Sequence, residues 1–253
     1  MNDIIDALES QHHELRALIA KCADPDWQRP TPCDGWDIGD VVLHMAQTDE
    51  LAVMSAQGKL DGHANGFLSS GRDRDVSVDD AAARQVANER SIGGARIGQR
   101  WDTAARTLID VLRTSNPSQR VTWVAGKLSM QTLATTRLSE CWIHTSDVAI
   151  ALGIEVAPTE RLRHIARLAW RTLPYAFERA GLAMEGEVEL HLIGPTGEQW
   201  DYQPDGVAVT TISGSAEDFC AVAARRVDPS ATALVGIGPD AANVLRLVRT
   251  YAQ

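Results

Sequence analysis

The sequence predicts a helical bundle followed by a small α+β domain. Two observations carry the first half of that statement. Long stretches with apolar residues at helical spacing fill roughly the first 150 positions, and each is bounded by residues that cap or stop helices. A third observation carries the second half: past Pro158 the pattern changes to short alternating runs separated by turn formers. The boundary is expected between Gly153 and Pro158, giving one domain over 1–155 and another over 156–253.

The first helix is expected from Asp3 to about Cys22. Ile4, Ile5, Leu8, Leu15, Leu18 and Ile19 form its apolar face, and Asp24-Pro25 ends it. On this amphipathic helix the adjacent His12 and His13 read as solvent-facing. A loop of turn formers follows, from Arg29 to Trp36. Asp37 is placed to cap the second helix, with Asp40 in its first turn, and that helix runs to about Gln57. The stretch from Gly58 to Ser77, with Gly62, Gly66 and Gly71, reads as a long excursion of the kind that often carries function. A third helix is expected from Val78 to Arg113, with Gly93-Gly94 as a point of disturbance and Asn116-Pro117 as its stop. Ser129 caps a fourth helix, which ends at Gly153. Four helices of about 20 residues make a bundle.

In the second half, Pro158-Thr159-Glu160 opens a helix expected to reach about Ala180. Glu187 to Ile193 alternates in polarity and is closed by the turn Gly194-Pro195-Thr196-Gly197. Gln199–Gln203 and Val207–Ile212 read as further strands. Ala216–Arg225 and Asp240–Tyr251 read as helices, with a short strand at Ala233–Ile237 between them.

Composition narrows the class of protein. The chain has 253 residues, 44% hydrophobic and 23% charged, as an ordinary globular protein does. Its 34 acidic against 24 basic residues give a net charge of −10, which disfavours nucleic acid or an anionic membrane surface as the main partner. The N-terminus lacks the basic stretch and apolar core of a signal peptide, and no apolar run approaches the ~20 residues of a membrane span. Cys22, Cys33, Cys141 and Cys220 form no paired motif, so reduced cytoplasm is the expected compartment.

The chemistry concentrates in the fourth helix. Arg137, Glu140, His144 and Asp147 fall on one stripe of a segment that is otherwise largely apolar. Burying such groups unpartnered costs roughly 2–7 kcal/mol each, and more for a charge. A metal ion held by Glu140 and His144, four residues apart, satisfies them. Chance spacing is the competing explanation, with Arg137 and Glu140 forming a plain helix salt bridge. Two ligands rarely suffice. Among the seven histidines, His44 is the best third ligand, since it lies on a half-buried face of its helix with Val41, Thr48 and Leu51. Asp147 can orient an imidazole or act on substrate. Cys141 reads as a small buried hydrophobe, and Trp36 and Trp123 as packing against helix ends, with the floor of a pocket the alternative for Trp123.

Two motifs resemble one family. Thr31-x-Cys33-x-Gly35-Trp36-Asp37-Ile38-x-Asp40-Val41-Val42-x-His44 is similar to the N-terminal signature of the mycothiol-dependent maleylpyruvate isomerases and their DinB-like relatives. Arg137-x-x-Glu140-x-x-x-His144-x-x-Asp147-x-x-x-Ala151-x-Gly153 resembles their second signature. The resemblance implies a DinB-like four-helix bundle with metal ligands His44, Glu140 and His144, and Asp147 as the acidic residue beyond them. It also implies a sterol-carrier-like C-terminal domain, in which a helix after Ser213-Gly214-Ser215 ends in an arginine facing the metal. Arg226 is the best match for that arginine and Arg225 the alternative. The tryptophan usual in that turn is missing here, a departure that bears on the maleylpyruvate substrate rather than on the bundle or the metal.

What the resemblance implies is a metalloenzyme, with zinc the expected ion and other divalent metals compatible with the ligand types. It would use the low-molecular-weight thiol mycothiol for isomerisation or S-transfer on a small electrophile. Asp147 would handle protons, and Arg226 would hold a substrate carboxylate bidentately. Two other readings share the scaffold. One is thiol-independent hydrolysis by a water whose pKa falls to about 7 on the metal. The other is a non-enzymatic ligand-binding protein in which the metal only braces the bundle, although no fourth ligand is evident to close such a site. The expected partners are the substrate and the thiol, and a monomer is compatible with the sequence.

Overall fold

The structure, a computed structural model, describes residues 1–60, 77–124 and 126–250. Most of the excursion expected after Gly58 lies outside the described residues. The chain divides into two compact units, one from Met1 to Val156 and one beginning at Ala157. No helix among the described residues is long and apolar enough to cross a membrane.

The first unit is built on helices α1 (Asn2–Ile19), α2 (Ile38–Ala56), α3 (Val78–Glu89), α4 (Gly94–Thr114) and α5 (Met130–Leu152). Four of them close a ring: α1 packs on α5, α5 on α2, α2 on α4 and α4 on α1. Local chemistry sets their ends. The Asp37 side chain accepts from the Asp40 amide at 2.8 Å while Asp40 reaches back to the Asp37 amide, a reciprocal capping box at the start of α2. Ser129 accepts from the Thr132 amide to open α5, and Gly153, at φ 68°, closes it in the left-handed conformation.

The helix expected from Val78 to Arg113 is two helices. Residues 90–93 interrupt it, and α3 packs on α2 while α4 takes the place in the ring. A close approach marks the restart of the helix. The short 3₁₀ turn Asp24–Gln28 buries Trp27 against the start of α4, where a Cβ on Gly94 would stand 2.2 Å from Trp27 Cγ. Arg90, in the break, forks onto Asp40 with Nη2–Oδ2 2.6 Å and Nε–Oδ1 3.2 Å. A hairpin absent from the sequence reading, β1 (Arg120–Trp123) and β2 (Gly126–Ser129), leads into α5. Four-residue strands show too little alternation to be recognised from periodicity. The hairpin buries Val121 and Trp123, and Ser55 at the end of α2 donates to the Thr122 carbonyl.

In the second unit, α6 (Leu162–Arg171) and α7 (Leu173–Arg179) replace the one helix expected after Pro158, with Thr172 and Pro174 at the join. Strands β3 (Glu187–Ile193), β4 (Gln199–Tyr202), β5 (Ala208–Ser215) and β6 (Val235–Ile237) form a sheet in the order β4-β3-β5-β6. Among the described strands of this sheet, β3 and β5 run parallel and the other neighbours antiparallel. The alternation expected in β3 is observed: Val188, Leu190 and Leu192 are buried, with Trp200, Tyr202 and Ile212 on the same face. Helices α6, α8 (Ala216–Ala223) and α9 (Ala241–Leu247) cover that face. The opposite face carries hydrogen-bonded polar side chains, His191 with Asp201 (2.6 Å) and Thr211 with Glu189 (3.0 Å).

Candidate metal centre

Helices α2 and α5 bring His44, Glu140 and His144 together. Nε2 of His44 is 3.8 Å and Nε2 of His144 is 3.7 Å from Oε2 of Glu140. The two imidazole rings meet edge to face with centroids 5.2 Å apart. These separations exceed a hydrogen bond. They approach the roughly 3.4 Å between two donors that each sit about 2.1 Å from one tetrahedral ion. One donor atom from each residue lies within 4.8 Å of the other two, so the three can hold a single metal ion. All three side chains are largely buried, Glu140 being the most exposed at 16%.

The electrostatics fit a charged cluster. Burial pushes the Glu140 carboxyl up, but the facing imidazoles of His144 and His44 and the nearby Arg137 outweigh it, holding Glu140 well below the usual carboxylate range. Burial pulls His144 down, yet hydrogen bonds with Asp147 and Cys33 and the Glu140 carboxylate raise it well above an ordinary histidine. For His44 burial wins, and its pKa is lowered.

Asp147 stands behind His144. Its Oδ2 is 3.0 Å from His144 Nδ1, and the side chain has no exposed surface. The same oxygen accepts from Cys33 Sγ at 3.1 Å. Cys33 belongs to a compact turn in which Thr31 Oγ1 donates to the Trp36 carbonyl and accepts from the Cys33 amide, with Gly35 at φ 73°. That turn also lays Trp36 against His44, ring centroids 5.1 Å apart. Trp36 in turn lines an open cleft of about 1170 Å³ with Trp27, Asp34, Arg90 and Arg96. Cys33 stands in the first motif without an assigned role in the sequence reading. Its place directly before a capped helix that bears a candidate ligand was the available signal.

One competing explanation and one expectation change. Arg137 does not form the plain helix salt bridge with Glu140. Its guanidinium crosses to α2, donating to Asp49 Oδ1 at 3.0 Å and Thr48 Oγ1 at 2.9 Å. His12 is not solvent-facing but 2% exposed, its ring edge-on to Trp101 and its Nε2 4.0 Å from Asp49 Oδ2. The bundle buries α1 more broadly than its apolar stripe alone suggests. Cys141 is buried as expected. Arg226 lies in the second unit just past α8, where Nη1 donates to the Ala224 carbonyl at 3.2 Å. Arg225 occupies the left-handed position that ends that helix, at φ 60°.

The fold and site define a class: a helical-bundle protein presenting two imidazoles and a carboxylate from adjacent helices, followed by an α+β unit. Within that class, the chain belongs to the family of the mycothiol maleylpyruvate isomerase N-terminal domain, whose model matches residues 8–149. Uncharacterized proteins from two strains of Mycobacterium tuberculosis are each 32% identical over 246 residues, covering 97% of this chain and 93% of theirs. A crystal structure of the mycothiol-dependent maleylpyruvate isomerase matches with a TM-score of 0.62 at 15% identity, over 93% of this chain and 92% of that one. A histidine-to-alanine mutant of that enzyme matches at 0.60 and 15% identity, over 89% of each chain. These likenesses show the shared fold.

Proposed function

We propose that this protein is a cytoplasmic, zinc-dependent enzyme that uses mycothiol for isomerisation or S-transfer on a small, carboxylate-bearing electrophile. One observation carries the reading: His44, Glu140 and His144 converge from two helices with donor atoms at the spacing of one ion and, among the described residues, no fourth side chain in the group. His44, Glu140 and His144 would hold a divalent ion as two neutral imidazoles and one carboxylate, and an ion so held would keep net positive charge and supply the lowering of a thiol's pKa.

The chain's own residues then have distinct tasks. As a ligand His144 would offer Nε2 without its proton, while Asp147, 3.0 Å from Nδ1, would keep the remaining proton there and hold the ring in place. An oxygen that passes protons to substrate needs access to it, and Asp147 has none through solvent. We therefore assign Asp147 as a positioning residue rather than a base on substrate. Cys33 holds the same carboxylate oxygen by its S–H. Arg226, with its planar fork, is the proposed holder of a substrate carboxylate, in a second domain (156–253) that we read as sterol-carrier-like.

The test has two arms. Metal analysis of the isolated protein should find close to one zinc per chain, and a His44→Ala, Glu140→Ala double variant should lose it; unchanged metal content in that variant overturns the site. Turnover of maleylpyruvate or a related unsaturated carboxylate should require added mycothiol. Activity that survives removal of all small thiols would support hydrolysis on the same scaffold instead.

A further inference from the structure

One helical turn from the three donors lies a second buried layer, assembled from all four helices of the ring. On α2 it holds Asp49, five residues beyond His44. On α5 it holds Arg137, three residues before Glu140. Going from one layer to the other runs forward along α2 and backward along α5, so the two helices are antiparallel. Arg137 is 1% exposed and Asp49 is fully buried. The guanidinium grips α2 at three points: Asp49 Oδ1 (3.0 Å), Thr48 Oγ1 (2.9 Å) and Met45 Sδ (3.8 Å). Thr48 passes the grip on, since its hydroxyl donates to the His44 carbonyl at 2.8 Å. From α1, His12 brings Nε2 to 4.0 Å from Asp49 Oδ2, and from α4, Trp101 packs against the His12 ring.

A buried ion pair contributes little to stability beyond an apolar pair of the same volume, because desolvation offsets the attraction. What it does enforce is geometry, since separating the partners leaves a buried charge unpaired. A slip of α2 by one residue against α5 moves it 1.5 Å along the axis and 100° around it. That slip breaks the guanidinium fork, and it also carries His44 away from Glu140 and His144. Thr48 and Asp49 lie within about one and a half turns of His44, so the setting of α2 that satisfies Arg137 is the setting that aims the imidazole.

We propose that Arg137 is a positioning residue for the metal centre, which acts through Asp49 and Thr48 to lock the axial and rotational setting of α2 against α5 so that three donors meet one divalent ion. The proposal rests on reading His44, Glu140 and His144 as metal ligands.

The experiment measures Zn²⁺ affinity of the purified full chain by competition with a chromophoric chelator, and the visible spectrum of the Co²⁺-loaded protein. An Arg137→Met, Asp49→Leu double variant removes both charges and keeps the volume. The expected result is a metal-free melting temperature that does not fall, a ten- to hundred-fold loss of Zn²⁺ affinity and an altered Co²⁺ spectrum. Arg137→Lys, which keeps the charge but not the fork, should not restore affinity. Thr48→Val, read in parallel, leaves the ion pair in place and should weaken Zn²⁺ binding several-fold with little change in melting temperature. Wild-type affinity in the double variant overturns the proposal, and wild-type affinity in Thr48→Val alone removes Thr48 from it. A wild-type chain without zinc affinity overturns the metal reading itself, and the two failures are thereby distinguished.

Discussion

Nδ1 of His144 and Oδ2 of Asp147, one turn apart on α5, are 3.0 Å from each other with the carboxylate fully buried. This pairing decides which imidazole nitrogen carries a proton and leaves Nε2 facing His44 and Glu140. It also ties the first motif to the second, because Cys33 donates to the same oxygen from 114 residues earlier in the chain.

Replacing Asp147 by Asn should therefore act on the metal before it acts on catalysis. The amide keeps the volume but removes the charge that holds His144, and Zn²⁺ affinity should fall roughly ten- to hundred-fold. With zinc held saturating, kcat should stay within several-fold of wild type. Zinc affinity that stays unchanged while kcat collapses would show that the carboxylate works on substrate.

Acid should destabilise the fold through His12. Burial, followed by the charges of Arg137 and Arg16, lowers its pKa to about 3 from the ordinary 6.5, with Glu9 pulling the other way. Between those values the unfolded chain binds a proton that the native state refuses, so stability falls as pH falls through 6.5 toward 3. The loss approaches about 5 kcal/mol over that window by linkage, at 1.36 kcal/mol per unit. Asp49, whose carboxyl burial pushes up, offsets part of it. Urea unfolding from pH 7 to pH 4.5 should show a flatter decline in a His12→Phe variant. Parallel curves for the two proteins would count against a neutral buried His12.

At Gly94 an alanine should reverse its usual sign. Gly to Ala in a helix interior ordinarily stabilises by up to about 1 kcal/mol, and by less at a first helical position such as this one. Here the new Cβ would meet the Trp27 ring at 2.2 Å, and overpacking of this kind costs about 1–3 kcal/mol. A lowered melting temperature with altered tryptophan fluorescence is the expected outcome; a raised one would mean that Trp27 does not rest on α4.

The capping box of α2 offers a milder probe. Asp37→Ala should cost about 0.5–2 kcal/mol, while Asp37→Asn should retain most of the cap. Chemical denaturation of the two variants separates them, and equal losses would place the role of Asp37 outside the cap. The same helix start anchors the turn that carries Cys33 and Trp36, so the alanine variant should also quicken alkylation of Cys33.

Much of this architecture was legible before any coordinates. Asp37, Ser129 and Gly153 mark helix ends in the sequence and do so in the structure. The alternation of Glu187–Ile193 is a strand with one buried face. The break between α3 and α4 was legible only as a glycine pair, because the Trp27 ring that packs on Gly94 comes from far off in the chain. The β1–β2 hairpin was too short to show a period. The burial of His12 and the true partner of Arg137 left no local trace.

The sequence by itself determined the ends of α2 and α5, the alternation of β3, the main apolar stripe of the long helices and the i,i+4 placing of Glu140 and His144. These depend on contacts within a few residues, which spacing records. Tertiary structure decided which distant side chains complete each group: His44 opposite Glu140, Asp49 beneath Arg137 across 88 residues, and Cys33 on Asp147. Periodicity tells which side of a helix turns inward, but not how far two packed helices are slid or rotated against each other. Those two coordinates are set by side-chain packing and by the cost of leaving a buried charge unpaired.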